Sequence, residues 1–438
     1  MIFDANTLST GQAGRRKIIT RHRLGVLLNS ARVQLIGALL FGVLGASLLR
    51  RFYFSEWSDT SFDATTTGTS LAVLIGLLIY RKVTSLPGTA ALLNTVPAFT
   101  VSYLAVAALF FALRIDFSRF EFGFSFGLVV IFIFLLAAVA VRVSRPSFAF
   151  VAGGRADELL RIRFANWLRV ETPEDVRDIP DLPLVADLNS GNMSPEWERC
   201  IAEEAISGRR IFNARQLKES LLGRVEIEHL SENSFGHLAP DSIYAPMKHY
   251  IDFVVALTAL IVLMPLLLAT ALLIRLESHG PAIFRQKRMG YGGRPFTIYK
   301  FRSMRVEEEG ASLNGDMTRS DDDRITRVGR LIRKTRVDEL PQILNVLRGD
   351  MSWIGPRPET LRLSAWYEQE IPFYRYRHIV RPGLTGWAQV KQGHVTSVED
   401  VNAKLQYDFF YVKKFSLWLD ILIVIQTIRV VLTGHGAK

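Results

Sequence analysis

Hydrophobic residues in this chain fall into blocks. Residues 33–49 (VQLIGALLFGVLGASLL), 90–113 (AALLNTVPAFTVSYLAVAALFFAL) and 123–141 (GFSFGLVVIFIFLLAAVAV) carry no charge, and residues 65–80 (TTTGTSLAVLIGLLIY) are shorter and begin polar. A membrane helix needs about 20 mostly apolar residues. The pattern therefore predicts a tail over 1–32 and a four-helix transmembrane bundle over 33–145. The first block begins after 32 residues and no small-residue cleavage site follows it, so it reads as an anchor rather than a signal peptide. Arg15, Arg16, Lys17, Arg21, Arg23 and Arg32 precede the first span, Arg81 and Lys82 follow the second, and Arg142 and Arg145 follow the fourth. Positive charge marks the cytoplasmic side, so the chain returns to the cytoplasm after four spans. Arg50 and Arg51 stand on the opposite side, with Glu56, Asp59 and Asp63 nearby. The span interiors hold no ionisable residue, which a transporter or proton relay needs. The bundle reads as an anchor or docking surface.

Residues 146–245 change to short apolar runs alternating with amphipathic stretches. FAFVA (148–152), LPLVA (182–186) and VEIEHL (225–230) read as strands; RADELLRIRFANWLR (155–169) and SPEWERCIAEEAIS (194–207) read as helices. The alternation predicts a small Rossmann-like α/β domain with a parallel sheet. Gly153-Gly154 sits at a strand-to-helix turn without a GxGxxG pattern, and reads as a plain tight turn.

A fifth apolar run, residues 253–274, has Lys248 and His249 before it and Arg275, Arg285, Lys287 and Arg288 after it. Both ends read as cytoplasmic. Pro265 lies near its midpoint, where proline kinks or breaks a helix. The expectation is a re-entrant helix hairpin over 251–275 that enters and leaves by one face; a kinked spanning helix is the alternative. Residues 415–433 are apolar but interrupted by Asp420, Gln426 and Arg429, as in an interfacial helix or a core helix.

Composition narrows the chemistry. One cysteine, Cys200, in 438 residues excludes an intrachain disulfide framework. The net charge is +11, and residues 275–438 hold 27 Lys+Arg against 18 Asp+Glu. A basic C-terminal part suits phosphate-bearing partners, and the chain lacks a recognised nucleic-acid module. In FTIYKF an alternating strand delivers Lys300 and Arg302 at i and i+2, two cations that could clamp a diphosphate. Asp338 and Glu339 are adjacent carboxylates following Arg333, Lys334 and Arg336, at or just before the start of a helix PQILNVLRG. In MSWIGPRPE, Pro356 and Pro358 restrict the backbone around Arg357, a held guanidinium suited to phosphate. RPGLTGWAQV (381–390) is a turn sequence whose glycines permit close backbone approach. The acidic runs Glu307–Glu309 and Asp321–Asp323 read as a solvated loop, with a metal site as the alternative.

The ordered set KFRSM, DDRITRVGRLIRKTRVDELPQILNVLRGDMSWIGPRP and RPGLTGWAQV resembles the bacterial sugar transferase family, the monotopic polyprenyl-phosphate phosphoglycosyl transferases. The resemblance covers about residues 246–438. The layout before it resembles the large members that act in exopolysaccharide, capsule or O-antigen assembly. This implies an α+β membrane protein of the bacterial inner membrane with its catalytic domain on the cytoplasmic face. It also implies transfer of a sugar-1-phosphate from a UDP-sugar to undecaprenyl phosphate, releasing UMP. Large members favour a hexose, glucose or galactose, as the donor sugar. By the same resemblance Asp338 would be the nucleophile and Glu339 would hold Mg²⁺. Arg333 would bind phosphate, and Lys300, Arg302, Arg357 and Pro358 would form the substrate site. A carboxylate needs no separate base, being ionised near neutral pH. Membrane lipids and a second copy of the chain are expected partners. Many members of the family have Ser where this chain has Met264, before the proline of their membrane hairpin. The second reading is an inactive membrane scaffold for polysaccharide assembly, against which the intact carboxylate pair argues.

Overall fold

The computed structural model describes residues 12–54, 59–84, 91–143, 145–188, 191, 193–225, 244–304, 325–392 and 398–433. The expected acidic runs Glu307–Glu309 and Asp321–Asp323, and residues 226–230 of the third expected strand, lie outside these. The chain divides into two compact units, Met1–Gly223 and Arg224–Lys438.

Among the described residues of the first unit, four helices are long and apolar enough to cross a membrane: Ala31–Phe52, Ala64–Thr84, Asn94–Leu113 and Arg119–Val143. They coincide with the four hydrophobic blocks. The polar start of the second is absorbed within its helix: Thr69 is buried and its hydroxyl donates to Thr65 O at 3.0 Å. Arg50, anomalous by its position outside the first span, pairs at 2.9 Å with Glu121, which is fully buried. Ser47 donates to the same carboxylate at 2.7 Å. A buried carboxylate needs such a partner, and Arg50 supplies it.

Among its described residues the same unit holds four parallel strands, β1 (Ser147–Val151), β2 (Asn166–Val170), β3 (Leu184–Ala186) and β4 (Ile211–Asn213), in the order β2-β1-β3-β4. Ala149, Val151 and Leu168 pack on one face; Phe148, Phe150 and Trp167 pack on the other. Burial on both faces explains why β1 reads as an unbroken apolar run. The helix expected over 155–169 is corrected. A 3₁₀ helix ends at Arg161, and Asn166–Val170 is a strand in register with β1. Aromatic and β-branched residues in NWLRV gain more from pairing with a buried strand than from helical periodicity. At the Gly153-Gly154 turn, Arg155 N–H donates to Asp187 Oδ2 at 2.9 Å, so the protein's own carboxylate closes it.

The second unit is built along one helix, Tyr244–Glu277, of 34 residues. Pro265 lies inside it and does not divide it into two helices. Packing supports the helix on both sides of the proline. Ala256, Ala259 and Leu263 pack with Ile298, Ile343 and Val346; Leu267, Ala271 and Ile274 pack with Phe301, Ile332 and Val337. Its other side is apolar and exposed, including Phe253, Ile261, Val262, Leu268, Leu272 and Leu276.

Both ends of this helix are tied to the same unit. At the start, Lys248 pairs with Asp420 at 2.8 Å and Asp252 accepts from Ser352 Oγ at 2.6 Å. At the end, the Glu277 carboxylate accepts from Arg327 N at 2.7 Å and Val328 N at 3.0 Å, the first amides of the helix Arg327–Lys334.

Two small sheets complete the frame. β5 (Ile283–Met289) and β6 (Pro295–Phe301) form an antiparallel hairpin; β7 (Ser352–Ile354) and β8 (Gly383–Thr385) pair in parallel. The β7–β8 pair explains the glycines of RPGLTGWAQV. A Cβ on Gly383 would lie 2.1 Å from the amide nitrogen of Gly355. Gly383→Ala is expected to lower stability by about 1–3 kcal/mol through overpacking against rigid backbone, read as an earlier thermal unfolding transition. The segment 415–433 is a helix, Leu417–Thr433, with Leu419, Leu422 and Ile423 fully buried and Ile428 exposed. Asp420, which interrupted its apolar pattern, accepts from Tyr244 at 2.6 Å and from Tyr411 at 2.9 Å.

Candidate active site

The adjacent carboxylates sit on a short turn with an unusual entry. Arg336 has φ 58°, in the left-handed region, and the 3₁₀ segment Val337–Gln342 follows it. The helix expected from Pro341 is shorter, Ile343–Leu347, and Gly349 follows it at φ 78° as a C-cap glycine requires. Asp338 and Glu339 thus lie in the 3₁₀ turn that leads into the helix. Asn345, fully buried, holds that helix to β6: its side chain accepts from Tyr299 N at 3.1 Å and donates to Thr297 O at 2.7 Å.

The two carboxylates have opposite surroundings. Glu339 Oε1 accepts from Arg357 Nη2 at 2.7 Å and from Lys300 Nζ at 3.3 Å, with Arg336 at 3.9 Å. Burial alone would push the Glu339 carboxyl up, but Arg357, Lys300 and Arg336 outweigh it and hold the group well below the usual carboxylate range. Asp338 Oδ1 is buried with no hydrogen-bond partner among the described residues. Burial, then the charge of Glu339, raises its pKa against the pull of Lys300, Arg336 and Arg333. Burial and the neighbouring Arg357 lower the pKa of Lys300. The result is one clamped anion beside one carboxylate with a free oxygen, inside a ring of cations. Such a pair can anchor a phosphate-bearing ligand and attack it.

Lys300, Arg357, Asp338 and Glu339 are brought together as expected. Arg333, half-buried on the helix Arg327–Lys334, stands close enough to Asp338 to lower its pKa. Pro358 is buried beside Arg357 in a small cleft also lined by Arg377 and His378. Arg302 is not brought to the carboxylates. The strand ends at Phe301, so the i, i+2 rule stops there. The buried guanidinium of Arg302 instead donates to Ser278 O at 2.8 Å and His279 O at 2.7 Å, closing the end of the long helix. Arg302→Leu is expected to destabilise the fold by about 3 kcal/mol, since buried acceptors lose their donors. The substrate KM of the folded fraction should stay unchanged.

The sequence of the chain is similar to those of known proteins. A family model described as bacterial sugar transferase matches residues 243–434. A protein of Aeromonas hydrophila named UDP-N-acetylgalactosamine-undecaprenyl-phosphate N-acetylgalactosaminephosphotransferase is 40% identical over 418 residues, 94% of this chain and 97% of that protein. The chain belongs to the bacterial sugar transferase family. Two relatives named UDP-glucose:undecaprenyl-phosphate glucose-1-phosphate transferase match this transferase over a smaller part. One, from Xanthomonas campestris pv. campestris, is 42% identical over 47% of this chain and 42% of its own length. The other, from Caulobacter vibrioides, is 46% identical over 43% of this chain and 71% of its own. All of the site residues of the transferase fall within the region the family model covers.

Proposed function

We propose that this transferase moves a sugar-1-phosphate from a UDP-sugar to undecaprenyl phosphate and so initiates a polysaccharide repeat unit. The observation that carries the reading is the split pair: Glu339 clamped by Arg357 and Lys300, and Asp338 with an unpartnered oxygen. An Asp338 oxygen attacks the sugar-bearing phosphorus. The bond from that phosphorus to the bridging oxygen breaks, and UMP leaves with its electron pair. A phosphate oxygen of undecaprenyl phosphate then attacks the same phosphorus, forming the lipid diphosphate-sugar and freeing the Asp338 carboxylate. The lipid acceptor is an anion, so neither step needs a proton removed at neutral pH. Lys300, Arg333 and Arg357 stand where diphosphate charge must be held.

An orphaned carboxylate oxygen beside a second carboxylate fits Mg²⁺, which takes few protein ligands and keeps waters and phosphate oxygens. Among the described residues there is no larger group of acidic, His or Cys ligands. Glu339, with Asp338 beside it, would hold the ion, which when bound neutralises charge on the diphosphate.

The seating of the long helix supports a catalytic unit held at one membrane face. One side of Tyr244–Glu277 is packed on the unit along its length, the other side is apolar and exposed, and both ends are tied back. A spanning helix would carry its two ends to opposite sides of the bilayer. Here both ends stay with one unit, which we assign to the cytoplasmic face of the bacterial inner membrane, and Pro265 lies on the helix's exposed side. The four preceding helices anchor the first unit, whose parallel sheet β1–β4 we place on the cytoplasmic side.

For the donor we favour an N-acetylhexosamine over the plain hexose that the sequence reading favours. The relative named for N-acetylgalactosamine aligns with 94% of this chain, whereas the two glucose-named relatives described above align with 47% and 43% of it. The test is UMP release by the full chain in nanodiscs with Mg²⁺ and a panel of UDP-sugars, with and without undecaprenyl phosphate. Release with UDP-N-acetylgalactosamine that requires the lipid is expected. Release with UDP-glucose alone would overturn the donor; no release with any sugar would overturn the activity.

A further inference from the structure

We propose that Arg377 is a positioning residue for the transfer reaction, acting through Arg357; the proposal rests on the activity described above. Three successive carbonyls, of Arg357, Pro358 and Glu359, are each held by a donor distant in the chain. Arg377 Nη2 donates to Arg357 O at 2.8 Å. Arg288 Nη1 donates to Pro358 O at 3.1 Å, and Met289 N–H donates to Glu359 O at 2.9 Å. The two β5 donors come from a regular hairpin. Arg377 carries its own buried support. It is 3% exposed, pairs with Asp408 at 2.9 Å, and donates to the Tyr374 hydroxyl at 2.7 Å. Its guanidinium also lies 5.2 Å from the Tyr374 ring centroid.

This arrangement fixes where the Arg357 guanidinium points. Pro356 and Pro358 restrict the backbone on either side, and the bond from Arg377 sets the peptide between Arg357 and Pro358. That orientation carries the 2.7 Å bond to Glu339. A displacement of about 1 Å at such a group is worth up to about 10²-fold in rate. Arg377 touches neither carboxylate in any hydrogen bond or ion pair among the described residues; it acts one layer behind. Lysine keeps the charge but lacks the planar fork that serves Asp408, Tyr374 and the carbonyl together.

The experiment is a double-mutant cycle in full-length protein in nanodiscs, reading kcat and KM from UMP release, with folding checked by thermal unfolding. Arg377→Lys is expected to lower kcat about 10–10²-fold, with little change in the donor KM. In an Arg357→Ala background the same substitution is expected to change kcat by less than about twofold, because the residue it positions is gone. Should Arg377→Lys fail to fold, Tyr374→Phe removes one of its buried hydrogen bonds while keeping the ring. It should lower kcat about threefold in the Arg357 protein and not in the Arg357→Ala protein. Equal fold-losses in both backgrounds, or no loss with Arg357 present, would overturn the positioning role while leaving the activity intact. An unmutated protein that releases no UMP overturns the activity and the inference with it.

Discussion

Asp338→Asn is expected to lower UMP release by at least about 10³-fold without loss of folding. The amide has the shape of the carboxylate but is too weak a nucleophile to displace UMP. The stability side follows from the environment. Burial and the charge of Glu339 raise the Asp338 pKa, so the ionised form is held less favourably in the fold than in the unfolded chain. A raised carboxyl destabilises the fold as pH rises above the ordinary carboxylate range, and a neutral isostere removes that cost. The variant should therefore unfold at the same or a higher temperature than the parent at pH 7, and lose this advantage in acid below that range. Activity and stability moving in opposite directions is the signature of a group strained for its reaction. Measuring UMP release and thermal unfolding on the same preparations checks both. Retained turnover in Asp338→Asn would mean that phosphorus is attacked by something other than this carboxylate.

Much of this was legible in the sequence because it depends on local pattern. The four apolar blocks became four helices because a charge-free run of that length has few other stable forms. Lys300, Asp338, Glu339 and Arg357 were legible as chemistry through their neighbours: cations before a carboxylate pair, and prolines around an arginine. What failed depended on partners distant in the chain. Asn166–Val170 is a strand because β1 lies beside it, 19 residues away in register. Arg302 left the site because strand β6 ends one residue earlier, and the alternation that pointed it there ends too. Pro265 did not break its helix because packing on both sides of it outweighs one missing hydrogen bond. Arg377, Asp408 and Asn345 were passed over entirely. Each is an ordinary polar residue in sequence, and its role comes from burial and from contacts with segments 20 to 48 residues away. The one signal for Arg377 was a cluster of arginine and tyrosine, YRYRH, just before the glycine-rich turn.

The electrostatic setting of the carboxylate pair gives the second large effect. Arg357→Ala is expected to lower kcat about 10²–10³-fold and to cost about 3 kcal/mol of stability, because Glu339 stays buried with its best partner removed. The pH dependence should move with it. In the parent, Arg357, Lys300 and Arg336 hold the Glu339 pKa below its ordinary value, so this pair's contribution to stability is present above the ordinary carboxylate range. It is lost only as pH falls well below that range. Without Arg357, burial and the neighbouring Asp338 charge oppose ionisation more strongly against Lys300 at 3.3 Å and Arg336 at 3.9 Å. Glu339 then titrates at higher pH, and the acid limb of kcat shifts upward. Arg357→Lys separates charge from shape. It restores a cation near Glu339 and should return the acid limb toward its parental position, but it cannot reproduce the guanidinium bond at 2.7 Å. The rate of Arg357→Lys is therefore expected to stay at least about tenfold below the parent even where Glu339 is fully ionised. If the acid limb stays in place in Arg357→Ala, the ionisation of Glu339 does not depend on Arg357, and the clamp has no part in setting the reactive pair.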